Sequence, residues 1–378
     1  MATTKPVLIY VVTEDWYFLS HRLPMARAAQ RAGYDVHVIT HVNEGGATIE
    51  AEGFSLHAVV WRRGSINPFG FLSNIRAVRR LYRTIKPDLV HHVALQPTIV
   101  GSLAAIGLPC RRLNALAGLG FAFTSDTPKA RLVRPILRRL LRHALNSPRA
   151  AVLVQNPDDR AAVQSLGVGD EHISVIPGSG VETDRLTPLP EPEGPVTMAF
   201  VGRLLEDKGL RALMDAHELL SRRGPPVRLL IAGDPDPANP ASIPPAEIAS
   251  WARRPGVGFL GHVLDIRDVW KQAHIAVLPS RREGLPKSLL EAAACGRPIV
   301  ATDVPGCREV ARQDINALLV PADDVQALAD AIGRLASDLG LRRKFGEAGR
   351  QMAEHEFSAA QIGQRVVALY DKLLGRQG

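Results

Sequence analysis

Arg203 and Lys208 are the first residues whose types and spacing suggest chemistry. They stand five positions apart, just after the apolar segment 196–201, and Gly202 lies between that segment and Arg203. Two cations in one loop can neutralise a diphosphate, because arginine gives forked hydrogen bonds and lysine a compact positive charge. Solvated loop charges would give the same pattern, so the pair alone leaves both interpretations open.

A second segment, residues 278–310, contains a predicted helix with a distinct start and end. Pro286 suits the first helical position and Gly296 suits the position past the last turn, which predicts a helix over 286–295. The N-terminus of this helix would present backbone N–H groups to an anion. Gly284, just before the helix, would let the backbone approach a phosphate closely.

Two carboxylates accompany this predicted helix. Glu283 precedes it, and Glu291 lies inside it among apolar neighbours. One carboxylate can accept hydrogen bonds from both hydroxyls of a ribose diol, so a nucleotide is a natural partner for a glutamate in this place. A capping or surface role would explain either glutamate without a ligand.

These residues sit in a chain where short apolar runs alternate with amphipathic helical patterns. The predicted strands are 7–12, 35–39, 89–93, 151–154, 173–176, 196–201, 227–231, 257–259, 275–278 and 298–301. The predicted helices include 21–32, 71–85, 130–145, 208–222 and 285–295. Apolar strands that alternate with helices indicate α/β architecture with parallel sheets, and two such series predict two doubly wound, Rossmann-like domains.

A linker separates the two series. Residues 187–195 contain four prolines, which excludes a helix or a central strand there. We expect an N-terminal domain over 1–183, a C-terminal domain over 184–360, and a last helix, 361–378, that packs back toward the N-terminal domain. Ligands of open parallel sheets bind at the carboxyl ends of the strands, so a cleft between the domains is the expected site.

The net charge is unevenly distributed. The 378 residues hold 46 Lys and Arg against 38 Asp and Glu, a net charge of +8. Residues 1–183 hold 21 basic and 13 acidic residues, whereas residues 184–378 hold 25 of each. The first half is therefore expected to meet an anionic partner, and nucleic acid, a membrane surface or a phosphorylated substrate would each satisfy this.

The remaining composition points to a protein of a reducing compartment. Three cysteines cannot form a disulfide framework, and no run of about 18 apolar residues predicts a membrane span. The first apolar run is short and no small-residue cleavage site follows it, which favours a buried strand over a signal peptide. We expect a cytoplasmic protein.

At this point the motifs resemble a known family. Gly-Arg-x4-Lys-Gly, followed by Pro-Ser-x-x-Glu-Gly-x-Pro-x4-Glu, resembles the retaining glycosyltransferases of family 4, which have the two-domain GT-B fold. The resemblance implies that Arg203, Lys208 and Glu283 are catalytic, the two cations at the donor diphosphate and Glu283 near the transferred sugar. It also implies that Glu291 binds the donor ribose. Further donor contacts are implied for Gly202, Gly261, Val263, Gly284 and Leu285.

The first half resembles a branch that builds bacterial surface polysaccharides and lipid-linked oligosaccharides. Residues 13–22 take the place of a Gly-Gly turn found in many members, and His21 would open the next helix. His21 could replace the missing phosphate contact, meet the acceptor, or simply pack at a helix start. Many family members have a catalytic-site histidine in the stretch that corresponds to residues 112–121, and this sequence has no histidine there. The residues of that stretch that could contact the acceptor or line the cleft are Asn114, Gly118 and Gly120.

Two basic helical patterns hold much of the excess charge. Residues 71–85 and 130–145 combine arginines with apolar residues, and no acid occurs from 127 to 157. Such a surface can attract an anionic leaflet, at about 1 kcal/mol per basic residue near the lipid. An ordinary solvated helix face is the alternative. A nucleic-acid partner is not expected, since no recognised nucleic-acid motif occurs.

The sequence thus predicts a retaining glycosyltransferase that uses a nucleotide-diphosphate sugar, with a uridine donor favoured by the resemblance, and a lipid-linked or saccharide acceptor. Fixed positive charge would stabilise the leaving phosphate, so neither a metal nor a cofactor is expected. Asp234-Pro235-Asp236 lacks a third ligand and is interpreted as a loop. A nucleotide-sugar 2-epimerase of similar architecture is the alternative function.

Overall fold

The contacts of the chain divide it into two compact units. Unit 1 comprises residues 1–179 with 359–378, and unit 2 comprises residues 180–358. This division lies four residues before the predicted boundary at 183. The computed structural model describes residues 5–61, 68–116, 128–223, 226–237 and 239–376.

Unit 1 contains a parallel sheet of seven strands, in the order β3-β2-β1-β4-β5-β6-β7. The strands are β1 (Val7–Glu14), β2 (Asp35–His41), β3 (Ser55–Ala58), β4 (Leu89–Val93), β5 (Arg111–Ala115), β6 (Ala150–Val154) and β7 (Ile173–Val175). The helices of this unit are α1 (Asp15–His21), α2 (Leu23–Arg31), α3 (Gly46–Ala51), α4 (Pro68–Ile85), α5 (Leu95–Ala104), α6 (Pro128–Leu145), α7 (Pro157–Gln164) and α15 (Ala359–Leu374). The central strands β1 and β4 are buried along most of their length, as parallel strands covered on both faces must be.

The last helix, α15, packs against α2 within unit 1. Its Tyr370 hydroxyl lies 2.7 Å from the Tyr10 hydroxyl on β1 and 2.6 Å from His91 Nδ1 on β4. All three side chains are buried. This polar contact joins the C-terminal segment to the middle of the sheet.

Unit 2 contains a parallel sheet of six strands, in the order β10-β9-β8-β11-β12-β13. The strands are β8 (Thr197–Val201), β9 (Arg228–Ala232), β10 (Val257–Gly261), β11 (Ile275–Leu278), β12 (Ile299–Thr302) and β13 (Ala317–Val320). The helices are α8 (Leu210–Arg223), α9 (Pro245–Trp251), α10 (Arg267–Trp270), α11 (Lys287–Ala294), α12 (Cys307–Val310), α13 (Val325–Ser337) and α14 (Leu339–His355). The α/β class and the two Rossmann-like sheets predicted from the sequence are therefore confirmed.

Both sheets share one topological feature that matters for function. The first and fourth strands of each unit are neighbours, β1 beside β4 and β8 beside β11, and the chain leaves them toward opposite sides. In open α/β sheets the loops part at such a switch point and leave a crevice at the carboxyl ends of the strands. The residues that follow β1 and β8 are therefore the ones to compare.

Three strands were not predicted from the sequence: β3, β5 and β13. β3 is a short outer strand with partly exposed residues, and β5 begins with Arg111 and Arg112, so neither reads as a continuous apolar run. β13 spans only four residues. Pairing with a neighbouring strand, which no local pattern records, decides these segments.

Three predicted helix starts were shifted. His21 does not open a helix: β1 extends to Glu14, α1 follows at once, and His21 is its last residue. The helix expected from 208 begins at Leu210, after a 3-10 turn over Glu206–Lys208. Pro286 caps α11 in an extended conformation and is not its first helical residue.

Candidate active site

The loop after β8 closely approaches the loop after β11 at the switch point of unit 2. Gly209 ends the 3-10 turn that carries Lys208, and its φ is +71°. A Cβ atom at Gly209 would lie 1.9 Å from the carbonyl oxygen of Pro279, so only glycine permits this approach. The Arg281 N–H also donates to the Asp207 carbonyl oxygen at 2.8 Å. The backbone therefore brings the two motif-bearing loops together.

Lys208 and Glu283 meet where these loops come together. Lys208 Nζ lies 2.5 Å from Glu283 Oε1, and the Ser280 hydroxyl donates to the same oxygen at 2.7 Å. The side chain of Glu283 is 9% exposed and that of Lys208 is 22% exposed, while Ser280 is fully buried. A half-buried ion pair with a second hydrogen bond is held more firmly than a surface pair. A diphosphate that binds Lys208 must compete with Glu283 for it.

Ser280 is itself fixed by β12. The Thr302 hydroxyl donates a hydrogen bond to the carbonyl oxygen of Ser280, and both residues are buried. Ser280 belongs to the Pro-Ser-x-x-Glu motif, but its contacts with Glu283 and Thr302 were not predicted. Their signal is weak, because a serine three positions before a glutamate is common and Thr302 lies 22 positions further on.

Arg203 does not join the Lys208 pair. Its Nη1 donates to Asp236 Oδ2 at 2.8 Å, and its side chain is 44% exposed. The Asp236 N–H donates to the Ser242 hydroxyl at 2.9 Å, which holds the loop in place. The Asp234–Asp236 segment is a loop, as predicted, but Asp236 has an ion-pairing role that the sequence did not reveal. An exposed pair of this kind is worth about 1 kcal/mol or less, so Arg203 can turn to another anion at little cost.

Glu291 is a buried carboxylate in the middle of α11. Its neighbours Leu289, Leu290 and Ala292 are buried too, and Lys287 Nζ lies 3.4 Å from its Oε1. Burial raises the pKa of Glu291 above its ordinary value, although the nearby Lys287 acts in the opposite direction. A buried carboxylate costs free energy unless it is paired, and Lys287 is the cation beside it in the structure.

The glycines predicted to contact the donor lie at closely packed backbone positions. Gly261 ends β10 with a φ of +61°, and its carbonyl oxygen accepts the Gly233 N–H at 2.7 Å. A Cβ atom at Gly233 would lie 2.0 Å from the Gly202 carbonyl oxygen. A Cβ atom at Gly306 would lie 2.4 Å from the Gly284 carbonyl oxygen. The loops after β8, β9 and β10 thus pack together, as do those after β11 and β12.

Leu285 and Val263 are partly buried, and both pack against the apolar core of unit 2. The donor contacts implied for these two residues are backbone contacts, which such packing leaves open. They stay predictions, as do the roles of the other donor-site residues.

The switch point of unit 1 has a different chemistry. β1 ends at Glu14 and α1 begins with Asp15, and both carboxylates are buried. Asp15 Oδ2 accepts the backbone N–H groups of Asn43 at 2.6 Å and Gly45 at 2.8 Å, and Glu14 Oε2 accepts Asn43 Nδ2 at 3.0 Å. Burial raises the pKa of Asp15, but these backbone hydrogen bonds lower it further, so its pKa lies below the ordinary range. Two carboxylates therefore occupy the place of the Gly-Gly turn.

The other candidates of the first half have separate environments. His21 stacks on Tyr17, with ring centroids 4.3 Å apart, and its Nδ1 lies 2.6 Å from the Ser20 hydroxyl. Asn114 is fully buried, and its Oδ1 lies 2.7 Å from His92 Nδ1. Burial lowers the pKa of His92 to about 4, although the hydrogen bond to Asn114 opposes this shift. Gly118 and Gly120 lie outside the described residues.

Comparison with known proteins agrees with these features. The model for glycosyl transferases group 1 matches residues 195–338, and the model for glycosyl transferase 4-like proteins matches residues 8–148. Together they account for about three quarters of the chain. The chain belongs to the family 4-like glycosyltransferases.

Known proteins match the glycosyltransferase over nearly its whole length. It is 26% identical to the N,N'-diacetylbacillosaminyl-diphospho-undecaprenol alpha-1,3-N-acetylgalactosaminyltransferase of Campylobacter jejuni, over 94% of this chain and 98% of that protein. The sucrose-phosphate synthase of Thermosynechococcus elongatus shares its fold, with a TM-score of 0.80, 20% identity and coverage of 98% and 100%. HepE of Anabaena, solved with UDP-glucose, gives a TM-score of 0.77, 18% identity and coverage of 97% and 99%. These likenesses confirm the GT-B fold.

Two further features of the glycosyltransferase concern metal ligands and membrane-spanning helices. Within the part of the chain that the structure describes, no group of three or more His, Cys, Asp or Glu residues is arranged to hold a metal ion. Among the same residues, no helix combines the length and the apolar character needed to cross a bilayer.

Proposed function

We propose that this glycosyltransferase transfers a sugar from a UDP-sugar to a hydroxyl of a lipid-linked or saccharide acceptor, with retention of configuration, in bacterial envelope glycan synthesis. The observation that carries the proposal is the Lys208–Glu283–Ser280 cluster at the switch point of unit 2. HepE, solved with UDP-glucose, supports the choice of a UDP-sugar, and the lipid diphosphate in the name of the Campylobacter relative supports the acceptor class.

The reaction follows from the charges of this cluster. The bond between the anomeric carbon and the donor phosphate breaks, and the departing diphosphate gains negative charge. Lys208 and Arg203 stabilise that charge, so Lys208 exchanges Glu283 for the phosphate and Arg203 exchanges Asp236. The acceptor oxygen forms the new bond on the same face of the sugar, and its proton passes to a departing phosphate oxygen. Glu283, released from Lys208, can accept hydrogen bonds from the sugar hydroxyls.

A panel of nucleotide sugars tests the donor side without knowledge of the acceptor. A UDP-sugar is expected to raise the melting temperature and to undergo slow hydrolysis to UDP, whereas GDP- and CMP-sugars are not. A rise in melting temperature only with sugars linked to another nucleotide would refute the uridine assignment. Conversion of the donor to its 2-epimer, with no UDP released, would show that the protein is an epimerase.

Stereochemistry and metal dependence are tested on the product. Proton NMR of the first product formed from an α-linked donor is expected to show the α configuration, and a β product would refute retention. Activity is expected to survive dialysis against EDTA, since positive side chains supply the charge. A loss that magnesium or manganese restores would refute metal-independent transfer.

We also propose that α6 of unit 1 contacts an anionic membrane surface at the cytoplasmic face. Ile136 is 63% exposed beside the exposed Arg138, Arg139 and Arg142, so this helix combines an apolar side chain with positive charge. Co-sedimentation with vesicles that contain phosphatidylglycerol is expected for the wild type and not for an R138E/R139E variant. An R222E variant, changed on the exposed end of α8, serves as the control. Equal binding of all three would refute the role of α6.

A further inference from the structure

Helix α1 presents an aromatic surface at the carboxyl end of the unit 1 sheet. It begins directly after β1 and carries Trp16, Tyr17 and His21. Trp16 is 39% exposed, although tryptophan is usually buried to a large extent. The other three tryptophans of the chain are buried: Trp61, Trp251 and Trp270.

The three rings are held in a fixed arrangement. The Tyr17 and His21 rings are stacked and nearly parallel, with centroids 4.3 Å apart and an interplanar angle of 6°. Trp16 and Tyr17 meet edge to face, with centroids 5.7 Å apart and an angle of 79°. The Ser20 hydroxyl donates to the Trp16 carbonyl oxygen at 2.7 Å and lies 2.6 Å from His21 Nδ1. Ring contacts and a hydrogen bond thus join the three side chains, and such preorganisation lowers the entropic cost of binding.

The charges beside this surface favour a neutral ligand. Glu14 and Asp15 are buried at the same end of β1, and Asp15 is the residue from which α1 starts. These two acidic groups disfavour an anion beside them, while the basic Arg22 is buried at the other end of α1. A pyranose ring is neutral, and its C–H face packs on aromatic rings while its hydroxyls pair with polar groups. Tryptophan and tyrosine suit such a ligand because each combines an apolar face with a polar edge.

We propose that Trp16, Tyr17 and His21 form a binding site for a neutral sugar ring of the acceptor. The proposal rests on the proposed glycosyl transfer and adds the place and the chemical class of the acceptor contact in unit 1. It assigns the acceptor's sugar ring, and not its phosphate, to the carboxyl end of β1.

Tryptophan fluorescence tests this site independently of activity. Trp16 is the exposed member of the four tryptophans, so it dominates quenching by acrylamide. Methyl α-glucoside, methyl α-galactoside and methyl α-N-acetylgalactosaminide are the probes. At least one of them is expected to lower the quenching constant of the wild type, and W16F is expected to lose that protection. Protection by none of the three, or protection that persists in W16F, would overturn the proposal.

Kinetics separate this proposal from the proposed function. With octyl glycosides of the same sugars as acceptors, W16L is expected to raise the acceptor KM about tenfold, and W16F less than W16L because it keeps a ring. The donor KM and the slow hydrolysis of the donor are expected to stay at wild-type values. I106A, which alters an exposed apolar residue just after α5 of the same unit, is the control.

The two failures look different. A wild type that neither binds nor hydrolyses any nucleotide sugar would refute the proposed transfer, while the fluorescence experiment would still decide the sugar site. Normal donor hydrolysis with an unchanged acceptor KM in W16L would refute the sugar site and leave the proposed transfer standing.

Discussion

The two switch points of this molecule have the same topology and opposite chemistry. After β8 the chain continues through Gly202 to Arg203 and Lys208, whereas β1 ends at Glu14 and Asp15 follows at once, with no glycine between. The loop after β8 carries two cations, and we propose that the donor diphosphate binds there. At β1 the same place is filled by carboxylates that hold the backbone of the next loop. The proposed diphosphate site of unit 2 and the proposed neutral-sugar site of unit 1 thus share one topology.

Net charge gives the opposite impression. By the division seen in the structure, unit 1 holds 24 basic and 13 acidic residues, and unit 2 holds 22 and 25. The unit proposed to bind the anionic donor is thus slightly acidic overall, and the strongly basic unit is acidic at its switch point. Overall charge bears on association with a large charged partner, while a few placed side chains decide what binds at the end of a sheet.

The largest expected effect comes from removal of the cation at the unit 2 switch point. K208M is expected to lower kcat by about 100-fold or more, because the leaving diphosphate loses its nearest fixed charge. Steady-state rates with a UDP-sugar measure this effect, and the melting temperature checks the fold. K271M, a change of an exposed lysine on the surface of the same unit, is the matched control. A K208M rate within threefold of the control, about 0.6 kcal/mol, would remove Lys208 from the mechanism.

The next effect concerns the carboxylate of the unit 1 switch point. D15A leaves the backbone N–H groups of Asn43 and Gly45 without their charged acceptor, so unit 1 is expected to lose about 2 kcal/mol of stability. Because the pKa of Asp15 is lowered on folding, the ionised form contributes stability above its ordinary pKa of 3.8, and this is lost as the pH falls through the lower folded value.

Thermal unfolding at pH 7 and pH 3 measures this difference. The difference in melting temperature between the wild type and D15A is expected to be large at pH 7 and smaller at pH 3. A gap that is absent at pH 7, or that widens in acid, would contradict the structural role of Asp15.

A smaller effect is expected from the residue that positions Glu283. S280A removes the hydroxyl that donates to Glu283 Oε1, and kcat is expected to fall about tenfold while the donor KM changes little. S221A is the control, since Ser221 donates only to a backbone carbonyl oxygen within α8. An S280A variant with a normal kcat would show that the Ser280 hydroxyl does not position Glu283 for transfer.

The smallest effect separates function from stability in unit 2. E291Q is expected to weaken UDP binding about fivefold if Glu291 accepts the ribose hydroxyls. The folded-state pKa of Glu291 is raised by burial, so folding is favoured by protonation and opposed by ionisation. E291Q is therefore expected to melt at a higher temperature than the wild type at pH 7, with the gap closing below pH 4.5.

One control decides the meaning of E291Q. The A292G change at the next position weakens the helix without a change of charge, and it is expected to lower the melting temperature at every pH. Tighter UDP binding by E291Q, or a lower melting temperature at pH 7, would contradict the role assigned to Glu291.

The sequence predicted what is local in this molecule. Ten strands and the motif loops after β8 and β11 all follow from short patterns, because each depends on neighbours in the chain. The pairing of Lys208 with Glu283 spans 75 positions and that of Arg203 with Asp236 spans 33, so neither has a local signal. The same holds for Asp15 and Asn43, which lie 28 positions apart.

The prediction at His21 was wrong. The apolar spacing from 21 to 32 suggested one helix, but the structure divides the segment at Arg22 into α1 and α2. Arg22 is buried at this junction, and its backbone, with φ −126° and ψ −17°, departs from helical geometry. Pro24 lies in the first turn of α2, where a missing N–H costs no helical hydrogen bond, so a new helix starts there.

We propose that the donor diphosphate binds at the switch point of unit 2 and not at that of unit 1. Calorimetric titration of UDP into the wild type, R203Q/K208M and W16L tests this proposal. We expect the double variant to bind UDP at least about 30-fold more weakly, roughly 2 kcal/mol, while W16L binds it as the wild type does. Equal UDP affinity in the double variant and the wild type, together with weaker UDP binding by W16L, would contradict a diphosphate site in unit 2.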